Sequence, residues 1–241
     1  TMRELVRAKP DEIELKKALV SGIASAEFAG IDAFSRKVVE WQEWDVPQTL
    51  IMAMARQTWD EVRHAHLAMG LIESYGGEIG EYPDTLAGSN GGPPAPPPGA
   101  EQSGVAGLAA GYDAVGDLMR EPVVSLSMTN VSLEGGALTL FQETSAVGDR
   151  IGDGLMAHCY DYNWADEVTH TAIGDFFVKL LTEDNPAEEA KALRVHAMAE
   201  YFRARLSGEQ SAELKEFFAD EFERAGMALG GPVGGVSQNG G

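Results

Sequence analysis

Cysteine is nearly absent from this chain: Cys159 is the single example among 241 residues. One thiol excludes an internal disulfide framework, and it also excludes rubredoxin-type and zinc-ribbon sites, which need several thiolates. Its scarcity fits a reducing compartment. Basic residues are also in deficit, with 18 Lys and Arg against 38 Asp and Glu and a formal charge of -20. That balance argues against nucleic acid or an anionic membrane as partner, because few cations are present to neutralise phosphates. No apolar run approaches the roughly 18 to 20 residues of a membrane span, and the opening TMRELVRAKPDE lacks a signal peptide's apolar segment. The expectation is a cytoplasmic protein. Alternating strand patterns are missing too, so the fold class is all-α.

What is present is helical periodicity in long blocks. With 44% hydrophobic residues the chain can bury one large core, and a single domain is expected over residues 1–229. Residues 11–43 follow Pro10 and form a first long helix. After Asp45-Val46-Pro47 a second runs from 48 to the stop signal Gly76-Gly77. Residues 76–104, which include GSNGGPPAPPPGAEQSG, are too rich in Gly and Pro for anything but loop. A shorter helix is expected at 105–119. Pro122 opens a third long helix to about 147, and the pattern resumes after Gly148-Asp149 as a fourth, at 150–182. Accessory helices are expected at 186–206 and at 208–229, where Ser207 and Gln210 fit a capping box. The Gly-rich end, 230–241, reads as a flexible tail.

The chemistry lies in a repeated word. Asp60-Glu61-Val62-Arg63-His64 and Asp166-Glu167-Val168-Thr169-His170 spell the same pattern twice, in a chain with five histidines. On a helix, residues i and i+3 share a face, so Glu61 with His64, and Glu167 with His170, can each present an oxygen and a nitrogen to one metal. A metal held between antiparallel helices needs ligands equally far from the turn that joins them. Glu27 and Glu61 flank Asp45 at similar distances, and Glu134 and Glu167 flank Arg150 in the same way. The chain thus reads as two copies of one hairpin, each with a lone Glu and then a Glu-x-x-His.

The set Glu27, Glu61, His64, Glu134, Glu167 and His170 resembles that of the ferritin-like di-iron carboxylate superfamily, over about residues 11–182. The resemblance implies a ferritin-like four-helix bundle built from two long helical hairpins, with extra C-terminal helices outside it. All six residues then act as metal ligands and catalytic residues. Two iron ions are the implied cofactor, with manganese or a mixed pair as alternatives, since four carboxylates balance two divalent ions and no thiolates favour zinc. Whether Glu61 with Glu134 or Glu27 with Glu167 bridge the metals is left open. By the same resemblance Asp60 meets His170 and Asp166 meets His64, each accepting the imidazole's free N–H; two exposed aspartates are the plain alternative.

Gly30 and Ala137 stand three residues after the lone glutamates, where the other two helices carry histidine. Space for carboxylate movement, dioxygen or substrate is one reading and close helix packing the other. Gln57, Ser127, Asn130, Tyr160 and Asn163 project toward the ligand face and are candidates for lining a substrate pocket, or else are buried residues with local partners. His66, His158 and His196 fall outside the ligand directions, and the four tryptophans read as core and hairpin packing.

The function implied is that of a non-haem di-iron oxidoreductase. Dioxygen would be its co-substrate and a small organic molecule would be oxidised by hydroxylation, N-oxygenation, desaturation or oxidative cleavage. Such enzymes draw electrons from a ferredoxin or flavin reductase partner, and a homodimer is compatible with the class. A ferroxidase or iron-storage protein, and a manganese catalase-like peroxide dismutase, are the alternatives.

Overall fold

Proline and glycine set most of the element boundaries. The computed structural model describes residues 1–78, 80–82 and 120–206. Most of the expected loop at 76–104, the helices expected at 105–119 and 208–229 and the tail at 230–241 lie outside the described residues. All regular secondary structure among the described residues is helical, with no strand.

A short helix that periodicity did not predict comes first. In α1 (Met2–Ala8) the Thr1 side chain accepts the Glu4 N–H, and Val6 alone is buried. One buried side chain is too few for a periodic signal. Helix α2 (Ile13–Glu40) ends in a 3₁₀ turn (Trp41–Glu43), and Pro47, extended at φ -58°, leads into α3 (Gln48–Ser74). Gly76 takes the left-handed conformation at φ +73°, and the Gly77 N–H closes on the Ile72 carbonyl at 3.0 Å.

Pro122 opens α4 (Pro122–Leu126), as predicted for the third helix. The chain then passes without a break through a π-helical segment (Ser127–Leu133) into α5 (Glu134–Ile151). The Glu134 N–H reaches the Thr129 carbonyl, the i to i-5 bond of a π turn. The helix runs past Gly148-Asp149, where a break was expected, and stops at Gly152, which is left-handed at φ +77°. Gly148 has another role: a Cβ there would lie 2.6 Å from the Ala157 nitrogen, so its bareness lets α5 and α6 (Gly154–Thr182) close into a tight hairpin. Helix α7 (Pro186–Leu206) packs on α4, the π segment and α6. Its Lys191 reaches Glu121 at 2.9 Å.

The two hairpins, α2 with α3 and α5 with α6, pack against each other through α3 and α6. Two apolar layers result. One gathers Val20, Ile23, Leu71, Phe141, Met156 and Tyr160, and the other Phe34, Trp41, Leu50, Met54, Leu126 and Phe177. Between them each long helix contributes buried polar residues at the same height. At one end Asp153 ties three helices together: it caps α6 through the Met156 N–H, pairs with Lys16 of α2 at 2.9 Å and accepts the Tyr75 hydroxyl at 2.8 Å. Trp41 and Trp164 join the core as expected, whereas Trp44 and Trp59 are exposed. No described helix is long and apolar enough to cross a membrane.

Candidate metal centre

Helices α2, α3, α5 and α6 bring all six predicted ligands into the polar layer, and all six are buried. They form two overlapping groups, Glu27, Glu61 and His64 in one and Glu61, Glu134, Glu167 and His170 in the other. Within each group the ligand-type atoms lie within 4.8 Å of one another. Glu61 belongs to both. Its Oε2 is 3.6 Å from His64 Nδ1 and its Oε1 is 3.5 Å from His170 Nδ1. Glu167 spans the centre likewise, at 3.4 Å from His64 Nδ1 and 3.2 Å from His170 Nδ1. The residues placed between the two positions are therefore the glutamates of the two Glu-x-x-His motifs. The sequence left open which glutamates bridge or cap, because position along a helix gives height, whereas the reach of a carboxylate depends on which neighbour it faces.

Both imidazoles turn Nδ1 inward and Nε2 outward. His64 Nε2 lies 3.2 Å from Asp166 Oδ2, and His170 Nε2 lies 3.2 Å from Asp60 Oδ2. Each aspartate thus meets the histidine of the other hairpin, the contact the resemblance implied. A proton on Nε2 shared with an aspartate leaves the Nδ1 lone pair for the centre. Arg63, a residue the sequence reading passed over, joins both aspartates: its Nη2 contacts Asp60 and sits 3.0 Å from Asp166, while the guanidinium lies over the Tyr162 ring and meets its hydroxyl. Its position inside the repeated motif, between Glu61 and His64, was the available signal.

The electrostatics are those of crowded buried acids. Burial foremost, with neighbouring carboxylates adding to it, raises the pKa of Glu61, Glu134 and Glu167. Burial opposes protonation of His64, but the Glu27 and Glu61 carboxylates outweigh it and push its pKa up to about 10. Asp60 is shifted down: burial works against ionisation, and His170 and Arg63 more than compensate. Glu61 Oε1 and His64 Nδ1 are buried with no hydrogen-bond partner. Orphaned buried polar atoms are costly, and both of these belong to residues of the ligand groups. The donor set fits a metal: a cation would give both atoms a partner and neutralise the carboxylates. Oxygen donors with two imidazoles suit iron or manganese.

The other candidates divide. Gly30 sits against the cluster: a Cβ there would lie 3.0 Å from Glu61 Oε2, so its bareness admits the Glu61 carboxylate itself. Ala137 packs half-buried against the apolar layer. Gln57 and Asn130 are buried and bonded in series, Asn130 Nδ2 donating to Gln57 Oε1 at 2.6 Å and Gln57 Nε2 donating to Glu134 Oε1 at 2.9 Å. Ser127, Tyr160 and Asn163 are buried, each with a side-chain oxygen lacking a partner, and Tyr160 stacks on Phe141 at 5.8 Å. An open apolar groove of about 620 Å³ lies instead on the outer face of α2, α3 and α6, lined by Phe28, Trp59, His66, His158 and Tyr162 among others and by none of those seven. His66, His158 and His196 are exposed and belong to neither ligand group. Lys37, also unremarked in the sequence, is buried at the end of the Gln57–Asn130 series. It lies in the apolar stripe Phe34, Lys37, Trp41, and a lysine at such spacing was its one mark.

Comparison of the chain with protein-family models, curated proteins and solved structures finds no match.

Proposed function

We propose that the chain is a ferritin-like four-helix bundle whose cluster holds two iron ions, or manganese or a mixed pair, and that it activates dioxygen to oxidise a small organic substrate. The observation that carries this reading is the convergence of four carboxylates and two imidazoles, one Glu or Glu-x-x-His from each long helix, with Glu61 shared by two ligand groups. Two iron ions there would supply the electrons that reduce dioxygen and the oxidising equivalents for the substrate.

The chain's own residues supply the setting. Glu61 and Glu167 reach both positions and hold them side by side. Glu27 and Glu134 each complete one position. Asp60 and Asp166, fixed by Arg63, keep the two imidazoles in the tautomer that leaves Nδ1 free. The apolar layers above and below exclude water, which strengthens every charge interaction between them. A ferredoxin or flavin reductase partner, or the substrate, would supply the electrons.

Anaerobic loading with Fe(II), followed by dioxygen and a panel of small aromatic and aliphatic substrates, tests the proposal. Metal analysis should find two ions per wild-type chain and fewer in Glu61→Ala and His170→Ala, with dioxygen uptake falling in step. Undiminished metal in both variants overturns the site. Mineralisation of iron by a large cage, or oxygen evolution from hydrogen peroxide by a manganese form, would replace the oxygenase reading by ferroxidase or catalase.

A further inference from the structure

Two carboxamides stand between Glu134 and a buried lysine. The Lys37 ammonium lies 4.2 Å from the centre of the Phe34 ring and 5.6 Å from that of Trp41, and the residue is 4% exposed. Burial lowers its pKa to about 7, and the Glu134 and Glu61 carboxylates favour the ammonium through charge and not through a hydrogen bond. It donates instead to Thr129 Oγ1 and, at 3.3 Å, to Asn130 Oδ1. Thr129 can accept because its own proton goes to the Ser125 carbonyl at 2.7 Å. Both acceptors lie in the π segment.

From Lys37 to Glu134 every hydrogen bond runs the same way: Lys37 to Asn130, Asn130 to Gln57, Gln57 to Glu134. The direction follows from the first link. An ammonium has three donors and no acceptor, so it can be met only by the oxygen of Asn130. That turns the Asn130 nitrogen toward Gln57, which must receive it with its own oxygen. The Gln57 nitrogen is then the atom left for Glu134. A carboxamide turned over keeps its shape and exchanges donor for acceptor, so its partners select this arrangement: the Lys37 ammonium on the Asn130 oxygen, and the His170 carbonyl 3.4 Å from the Asn130 nitrogen.

Resting on the two-metal reading above, we propose that Lys37 is a positioning residue for Glu134: its ammonium fixes the orientation of Asn130 and Gln57, so that Gln57 presents an N–H to Glu134 and holds one carboxylate oxygen while the other serves the metal. The residue touches neither substrate nor ligand. It acts through two side chains, in the manner of the partners that orient metal ligands elsewhere.

Two substitutions test this with little change of volume. Lys37→Met removes the cation, and Asn130→Asp makes the middle link accept from both sides, which forces Gln57 to turn its oxygen toward Glu134. Both are made in a Glu27→Ala background, where only the position containing Glu134 keeps its ligand set, and Mn(II) affinity is measured. Each should weaken that ion roughly 10- to 100-fold, the range for residues that orient metal ligands, and Lys37→Arg, which keeps a charged donor, should recover most of the loss. Unchanged affinity in both variants, or no recovery by arginine, overturns the proposal. If neither wild type nor Glu27→Ala binds Mn(II), the two-metal reading fails on its own, and the metal-free protein decides the rest. There the Gln57 side-chain amide resonances in ¹⁵N spectra should shift in Lys37→Met and Asn130→Asp, and unshifted resonances overturn the relay.

Discussion

Replacing Glu61 by alanine should weaken both metal positions, whereas replacing Glu27 should weaken only one, because the Glu61 carboxylate offers one oxygen to each histidine's side of the cluster and Glu27 belongs to a single group. The magnitude follows from charge. Four carboxylates balance two divalent ions, so losing one leaves a buried excess of one positive charge. Removing one partner of a buried ion pair costs about 3–5 kcal/mol, and at about 1.4 kcal/mol per tenfold that is roughly two to three and a half decades of affinity. In Glu27→Ala the whole loss falls on one ion. In Glu61→Ala it is divided, so that each ion weakens by roughly one to two decades. Anaerobic calorimetric titration with Mn(II), checked by elemental analysis after dialysis, reads both affinities and the stoichiometry. Circular dichroism establishes that each variant keeps its helix content. One ion held at wild-type affinity in Glu61→Ala, or two ions equally weakened in Glu27→Ala, would refute the placement of Glu61 between two positions.

Asp60→Ala and Asp166→Ala each free one imidazole to turn, and metal affinity should fall roughly 10- to 100-fold in both, read by the same titration. In Gly30→Ala the new methyl lies 3.0 Å from Glu61 Oε2; the carboxylate must move, so metal-dependent dioxygen uptake should drop while the circular dichroism spectrum stays unchanged. Gly174→Ala puts a Cβ 2.6 Å from that of Asn130, overpacking that typically costs about 1–3 kcal/mol; scanning calorimetry should show Tm lower by roughly 2–12 °C. The pH dependence has a definite sign. Glu61, Glu134 and Glu167 hold protons in the folded, metal-free protein above the pH at which the unfolded chain has released them, so their contribution to stability falls as pH rises from about 5 to about 7. Metal replaces those protons, so the Tm gained on metal binding should widen over that interval and metal uptake should acidify a weakly buffered solution.

The ligand set was legible because it is periodic. Two motifs of fixed spacing, and two lone glutamates at matching heights, need only regular helices and antiparallel packing to meet. The contacts of Asp60 and Asp166 were implied by the resemblance, not by the spacing. What could not be read was set by departures from it. The sharing of Glu61 and Glu167 depends on side-chain reach across the bundle. The π segment depends on a backbone hydrogen-bond shift that leaves no periodic mark. Lys37 reads as a solvated charge on any composition scale, and only its neighbours Phe34 and Trp41 place it inside. Gly148 carried a real signal of the wrong kind, since an unhindered helix surface and a helix end both favour glycine. The polar residues projected into a pocket went to the right face of their helices, yet Gln57 and Asn130 bond to one another and to Glu134.

A π turn contains one residue more than an α turn of the same rise. Deleting any single residue from Ser127–Leu133 would therefore leave a helix able to form in ordinary α geometry, with Pro122–Leu126 keeping its rotational position relative to Glu134. Chains that share this ligand pattern can differ here by a one-residue gap flanked by segments that both match. Search patterns for further examples should allow that gap upstream of the third glutamate, and should hold the spacing fixed everywhere else.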